Sequence, residues 1–178
     1  MEENGEMTIL GTYKFCEECP TSGNCCSRVR PNGEVDSPVL FPKDLEKIEE
    51  YTGENINSFS LVRNELGDSL RFLKTGTNGC YFHQEGKCGI YQVRPLDCRL
   101  FPLDVIKTPD GRIALIAYTR LCPVGFDPKE HIEQAKKLLP ELGENIYAYA
   151  GMDLPGMDKE PYIELEDLGL RVAQSSSK

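Results

Sequence analysis

The chain contains no tryptophan and only two histidines, His83 and His131. No Ser/His/Asp or Cys/His arrangement stands out around them, so triad-type nucleophilic catalysis has no footing in this sequence. P-loop and GxGxxG loops are also missing. The nearest approach, Gly76-Thr-Asn-Gly79, is too short to cradle phosphates. No stretch approaches the roughly 18 apolar residues needed to span a bilayer. The first residues, Met1-Glu-Glu-Asn-Gly-Glu, lack the basic start and apolar run of a secretory signal. Basic charge is in short supply: 20 Lys and Arg face 29 Asp and Glu, for a net charge of −9. Such an anion is repelled by phosphate backbones and anionic lipid, which excludes nucleic acid and membrane as default partners. These absences point to a cytoplasmic protein, in a compartment where thiols stay reduced.

Against that background stand eight cysteines. In a reducing compartment they argue for metal before disulfides. They fall mainly in two stretches. The first runs Cys16-Glu-Glu-Cys19 and on to the adjacent pair Cys25-Cys26. The second is GCYFHQEGKCGIYQVRPLDCRLFP, from Gly79 to Pro102, and holds Cys80, Cys88 and Cys98.

The Cys16/Cys19 spacing lets two thiolates converge on one cation from a tight turn, as in zinc knuckles and iron–sulfur loops. The same spacing occurs in redox dithiols, but no βαβ context surrounds it here. Adjacent cysteines such as Cys25-Cys26 have diverging side chains. They can serve two sites or two irons of one polynuclear cluster, or pair one ligand with one buried core thiol. Gly79 and Gly89 suit turns that aim backbone N–H groups at sulfur. Arg94 and Arg99 bracket Cys98, where guanidinium groups would offset the negative charge of a thiolate-ligated centre. Surface or salt-bridge roles are the alternative for both. Tyr91 and Phe101 are expected to pack around the site. His83 is a possible ligand or an exposed turn residue, and His131 a solvated one.

At 178 residues, 39% hydrophobic and 28% charged, the chain suits one domain with a modest core that a cross-linking ligand would help to hold. We divide it into a flexible N-terminus (1–10), a cysteine-cluster metal-binding domain (11–150) and an acidic C-terminal arm (151–178). Pro42 opens a helix whose Leu45, Ile48 and Tyr51 share one face, and Gly53 ends it. Asn55 caps a second helix with Ile56 and Phe59. Leu70 to Lys74 alternates as a strand. Tyr81-Phe82 and Lys87 to Ile90 are expected to form a hairpin around the turn His83-Gln-Glu-Gly86. Asp104–Lys107 and Arg112–Tyr118 flank a second turn, Thr-Pro109-Asp-Gly111. A helix runs from Asp127-Pro128 to Leu139, another turn or two of helix lies within Gly143–Met152, and an extended segment follows. The fold class is therefore α+β: a single small domain with short β-hairpins and a few helices organised around a cysteine-ligated metal centre. Residues 141–178 carry eight acidic and three basic side chains, a surface on which a basic protein partner could dock.

Taken together, CxxC…CC followed by C…CGIYQVRPLDCRLFP resembles the CxxCxxCC cysteine-cluster family of zinc- or iron-chelating domains. The specific part is Cys88 to Pro102, and the likeness spans roughly Cys16 to Cys122. The gap between Cys19 and Cys25 is longer than the family name implies. The resemblance implies a bound metal or cluster, and it brings Cys122, which precedes Pro123, into the ligand set. That set is then Cys16, Cys19, Cys25, Cys26, Cys80, Cys88, Cys98 and Cys122. Larger members of this group include flagellin lysine N-methylases, but no S-adenosylmethionine loop is recognisable here, so that activity is not carried over. Three functions remain: an iron–sulfur protein, with a [4Fe-4S] cluster, for electron transfer or as an accessory to another enzyme; a structural zinc-binding interaction module; and a cluster-dependent protein-modifying enzyme. The surplus over four thiolates and the vicinal pair favour the first.

Overall fold

The structure is a computed structural model that describes residues 26, 37–62, 70–77, 79–119, 128–152 and 161–172. Strands and helices alternate as short pieces in small antiparallel sheets, an α+β arrangement. The first sheet joins β1 (Val39–Leu40), β3 (Arg71–Leu73) and β2 (Ser60–Val62), with β3 in the middle. Helix α1 (Pro42–Thr52) starts directly after β1. Its proline occupies the first turn, where a missing N–H is harmless. Asp44 reaches back to accept the Phe41 N–H at 3.0 Å. Gly53, at φ 70°, ends the helix in the left-handed conformation. Ile48 is fully buried and Leu45 half-buried, whereas Tyr51 is exposed, so the apolar face is narrower than its spacing suggested. Asn55 caps α2 (Ile56–Phe59) by accepting the Asn57 N–H at 2.9 Å.

Two small ladders follow. β4 (Thr75–Gly76) pairs with β5 (Gly79–Cys80), and β6 (His83–Gln84) pairs with β7 (Lys87–Cys88). The second hairpin is tighter than its sequence indicated. His83 and Gln84 belong to the strand, and only Glu85 and Gly86, both at positive φ, make the turn. A 3₁₀ turn (Tyr91–Val93) leads to α3 (Leu96–Leu100), followed by a cis Phe101–Pro102 bond.

The main sheet has three strands. β8 (Leu103–Lys107) and β9 (Arg112–Tyr118) form the hairpin expected from Thr-Pro109-Asp-Gly111; Gly111 sits at φ 84°. β9 is apolar at nearly every position because both its faces are covered. Ile113, Leu115 and Ala117 enter the main core, while Ala114, Ile116 and Tyr118 pack with Phe101 and Ile106. The extended C-terminal stretch supplies β10 (Tyr162–Arg171), antiparallel to β9 from Tyr162↔Tyr118 to Arg171↔Arg112, with two register shifts. Helices α4 (Pro128–Leu138) and α5 (Asn145–Ala150) lie against the main core through Ala135, Leu138, Ile146 and Tyr149. A second core of Leu40, Ile48, Phe59, Leu73, Phe82 and Ile90 carries Cys80 and Cys88 at its margin. Among the described residues, no helix is long and apolar enough to cross a membrane.

Candidate metal centre

Four of the cysteines singled out from the sequence are described: Cys26, Cys80, Cys88 and Cys98. All are half-buried. Cys16, Cys19, Cys25 and Cys122 lie outside the described residues, as does the side chain of His131. The four that are described come from four separate places in the fold. Cys26 lies in a turn, and its carbonyl accepts the Cys80 N–H at 2.7 Å, which ties Cys26 to the second cysteine stretch. Cys80 ends β5, Cys88 ends β7, and Cys98 stands in the middle of α3.

These sulfurs act on one another. Burial pushes the Cys98 thiol well above its usual value, and Asp97, Cys80 and Cys26 push it further. Burial likewise raises Cys80 to about 11, with Cys88 adding to the rise. Several thiols sharing a partly dry region suppress each other's ionisation, because each new thiolate would face its neighbours' charge. A bound cation reverses that balance and deprotonates coordinating thiols. The donor set therefore fits a soft or borderline metal held by thiolates. Among the described residues alone, no three His, Cys, Asp or Glu side chains converge closely enough to grip one ion.

Cys80 has a further feature. The backbone N–H groups of Phe82 and His83 donate to its sulfur, which opposes the effect of burial. Two N–H donors on one sulfur favour the thiolate. The sequence suggested that Gly79 and Gly89 would present such donors, but the Gly89 N–H donates to the Phe82 carbonyl at 2.8 Å. Gly89 is needed instead for closeness: a Cβ there would meet that carbonyl oxygen at 3.3 Å. His83 is half-buried in β6 directly opposite Cys88, not exposed in the turn. Cross-strand neighbours of this kind have Cβ atoms about 5 Å apart, so His83 borders the thiol group. An open cleft walled by Lys74, Thr77, Tyr81 and His83 gives access to Cys80.

The two arginines that bracket Cys98 have different surroundings. Arg94 is buried with its guanidinium 4.2 Å from the centroid of the Tyr91 ring, and its positive charge eases ionisation of Cys98. Arg99 is also buried, and its guanidinium holds Glu141 bidentately at 3.0 and 2.6 Å. Phe101 packs against the outer face of β9.

One polar cluster next to Cys98 was not apparent from the sequence. Asp97 accepts the Val39 N–H at 2.8 Å and the Tyr149 hydroxyl at 2.5 Å. Asp104 accepts the Tyr118 hydroxyl at 3.0 Å. Burial, reinforced by the charge of Asp97, holds the Asp104 carboxyl well above the ordinary carboxylate range. Asp44 takes the N–H groups of Phe41 and Leu96, each at 3.0 Å, and burial raises it to about 6. The only cue available for any of these was an acidic residue beside an assigned cysteine.

No curated protein and no solved structure matches this chain. A family model does match, over residues 15–123, and its description is "CxxCxxCC: Putative zinc- or iron-chelating domain". That span contains all eight cysteines and more than half of the sequence, and the chain belongs to the CxxCxxCC family of metal-chelating domains.

Proposed function

We propose that this chain is an iron–sulfur protein of a reducing compartment such as the cytoplasm, serving electron transfer or acting as a cluster-bearing accessory to another enzyme. Its ligands are drawn from Cys16, Cys19, Cys25, Cys26, Cys80, Cys88, Cys98 and Cys122, with Arg94 offsetting the charge beside Cys98. The observation that carries this reading is that cysteines from four separate segments lie near enough to act on one another, with the Cys80 sulfur already receiving two backbone N–H groups. N–H···S donation of this kind lowers the charge that sulfur must carry and tunes cluster potential. The number of thiols exceeds what one tetrahedral ion takes, and the vicinal pair Cys25-Cys26 suits a polynuclear centre better than a single ion. When bound, such a cluster supplies one-electron redox chemistry. Cysteines of this chain would hold the cluster, and the cleft at Tyr81 and His83 reaches Cys80. The overall acidity favours a basic protein partner.

The test is purification without oxygen, followed by measurement of iron, zinc and acid-labile sulfide and by a visible spectrum. A brown protein with iron and sulfide in comparable amounts is the expected result. A colourless protein that holds stoichiometric zinc, and takes up no cluster on anaerobic reconstitution, replaces this reading with a structural zinc module.

A further inference from the structure

Cys98 occupies a short helical turn whose neighbours are each tied to a different part of the fold. Leu96 donates its backbone N–H to Asp44 of α1 at 3.0 Å, and Arg99 grips Glu141 in the 3₁₀ turn before α5. Asp97 is tied twice: its Oδ2 accepts the N–H of Val39 in β1 at 2.8 Å, and its Oδ1 accepts the hydroxyl of Tyr149 in α5 at 2.5 Å. Tyr149 is buried, with its ring edge-on to Phe41 at 5.3 Å between centroids, so the hydroxyl is a fixed anchor. A helix of five residues has almost no stability of its own. The direction of the Cys98 side chain is therefore set by these outside ties. Among the described residues, Asp97, next to the sulfur-bearing residue, bridges two elements at once.

We propose that Asp97 is the positioning residue of the metal centre, its paired hydrogen bonds to Val39 and Tyr149 holding the α3 turn so that Cys98 meets the other thiols. A ligand kept in place by a supporting hydrogen-bond shell binds its metal more tightly than one that must be ordered on binding. The inference rests on the metal–thiolate reading but is indifferent to whether the metal is zinc or iron.

The experiment uses the full chain under reducing conditions. Zinc affinity is measured by competition with a chromophoric chelator, and the sulfur–cobalt charge-transfer bands are recorded with cobalt(II). Asp97→Ala should lose about 10- to 100-fold in zinc affinity, the usual effect of removing a supporting partner, with far-ultraviolet circular dichroism unchanged. Asp97→Asn still accepts from Val39 and still offers Tyr149 a polar partner, so it should recover most of that loss. Tyr149→Phe, which keeps the ring packing and removes one tie, should lose about 10-fold. In a Cys98→Ala background, Asp97→Ala should cost nothing further, because the effect runs through that sulfur. The inference is overturned if Asp97→Ala binds zinc as tightly as the parent, if the asparagine variant is as weak as alanine, or if the loss persists undiminished without Cys98. Should the alanine variant fail to fold, undiminished affinity in Tyr149→Phe overturns it equally. A parent chain that binds neither zinc nor cobalt removes the metal reading and this inference with it. A parent that binds zinc but accepts no cluster removes only the iron–sulfur assignment.

Discussion

Replacing Glu141 with alanine strips the buried Arg99 guanidinium of its bidentate partner. Arg99 is 5% exposed and Glu141 28%, and the two bonds measure 3.0 and 2.6 Å. Removing one member of a buried pair costs about 3 to 5 kcal/mol because the other charge stays buried, and the part-exposed acid places this case near 3. For a chain of this length each kcal/mol moves the melting temperature by about 2 to 4 °C, so a fall of roughly 6 to 12 °C is expected. Lys47, 3.8 Å from Glu141 and largely solvated, contributes little. The pH dependence gives an internal control. The Arg99 guanidinium holds Glu141 below its ordinary value. The contribution of a depressed carboxylate is complete above the unfolded value of about 4.3 and fades as pH falls through the folded one. Parent and variant should therefore differ by a constant amount from neutral pH down to about 5, then converge in acid. Thermal melts followed by circular dichroism at matched metal load measure this, since bound metal shifts stability by itself. Replacing the whole pair, Arg99→Met with Glu141→Leu, should restore most of the loss. A Glu141→Ala melting temperature within 2 °C of the parent, roughly the shift of a surface change, would refute the reasoning. A gap that stays open in acid would refute it too.

Cys26→Ala and Cys98→Ala are each expected to bind metal more weakly and to lose stability with it, because metal binding is coupled to folding; unchanged affinity in both counts against the assigned ligands. Asp44 shows the opposite pH behaviour to Glu141. Its folded value is raised to about 6, so its contribution is complete below the unfolded value near 3.8 and is lost as pH rises through about 6. Melting temperatures of the parent and of Asp44→Asn between pH 4 and 8 should differ in slope through that window, and parallel curves would contradict the assignment. Phe72 is fully buried at the centre of the β1-β3-β2 sheet, so Phe72→Ala should cost about 3 to 5 kcal/mol in urea unfolding.

Local features were legible where a few neighbouring residues settle the backbone. Pro42 and Gly53 bound α1 because one fixes a helical φ and the other accepts a positive one. Thr-Pro109-Asp-Gly111 announces the β8–β9 hairpin because its turn needs a glycine at φ 84°. The β6–β7 hairpin was legible in kind but not in register. Cross-strand pairing drew His83 and Gln84 into the ladder and left a two-residue turn. Tyr51 has the helical spacing of Leu45 and Ile48 on α1, but its ring lies beyond the packed core. No local pattern shows which strand β10 joins, since its partners on β9 are more than forty residues away in sequence.

The amino-acid sequence by itself determined that this is a thiol-rich α+β domain of the metal-chelating CxxCxxCC family, because residue type and spacing are properties of the chain. Tertiary structure alone decided which groups meet. The Cys26 carbonyl receives the Cys80 N–H, Phe82 and His83 turn their amides to the Cys80 sulfur, Arg99 closes on Glu141, and Asp97 spans Val39 and Tyr149. The physical reason is one of range. Propensity and turn chemistry act over a few residues, whereas burial and hydrogen-bond pairing act across the folded core, where distance along the chain no longer matters.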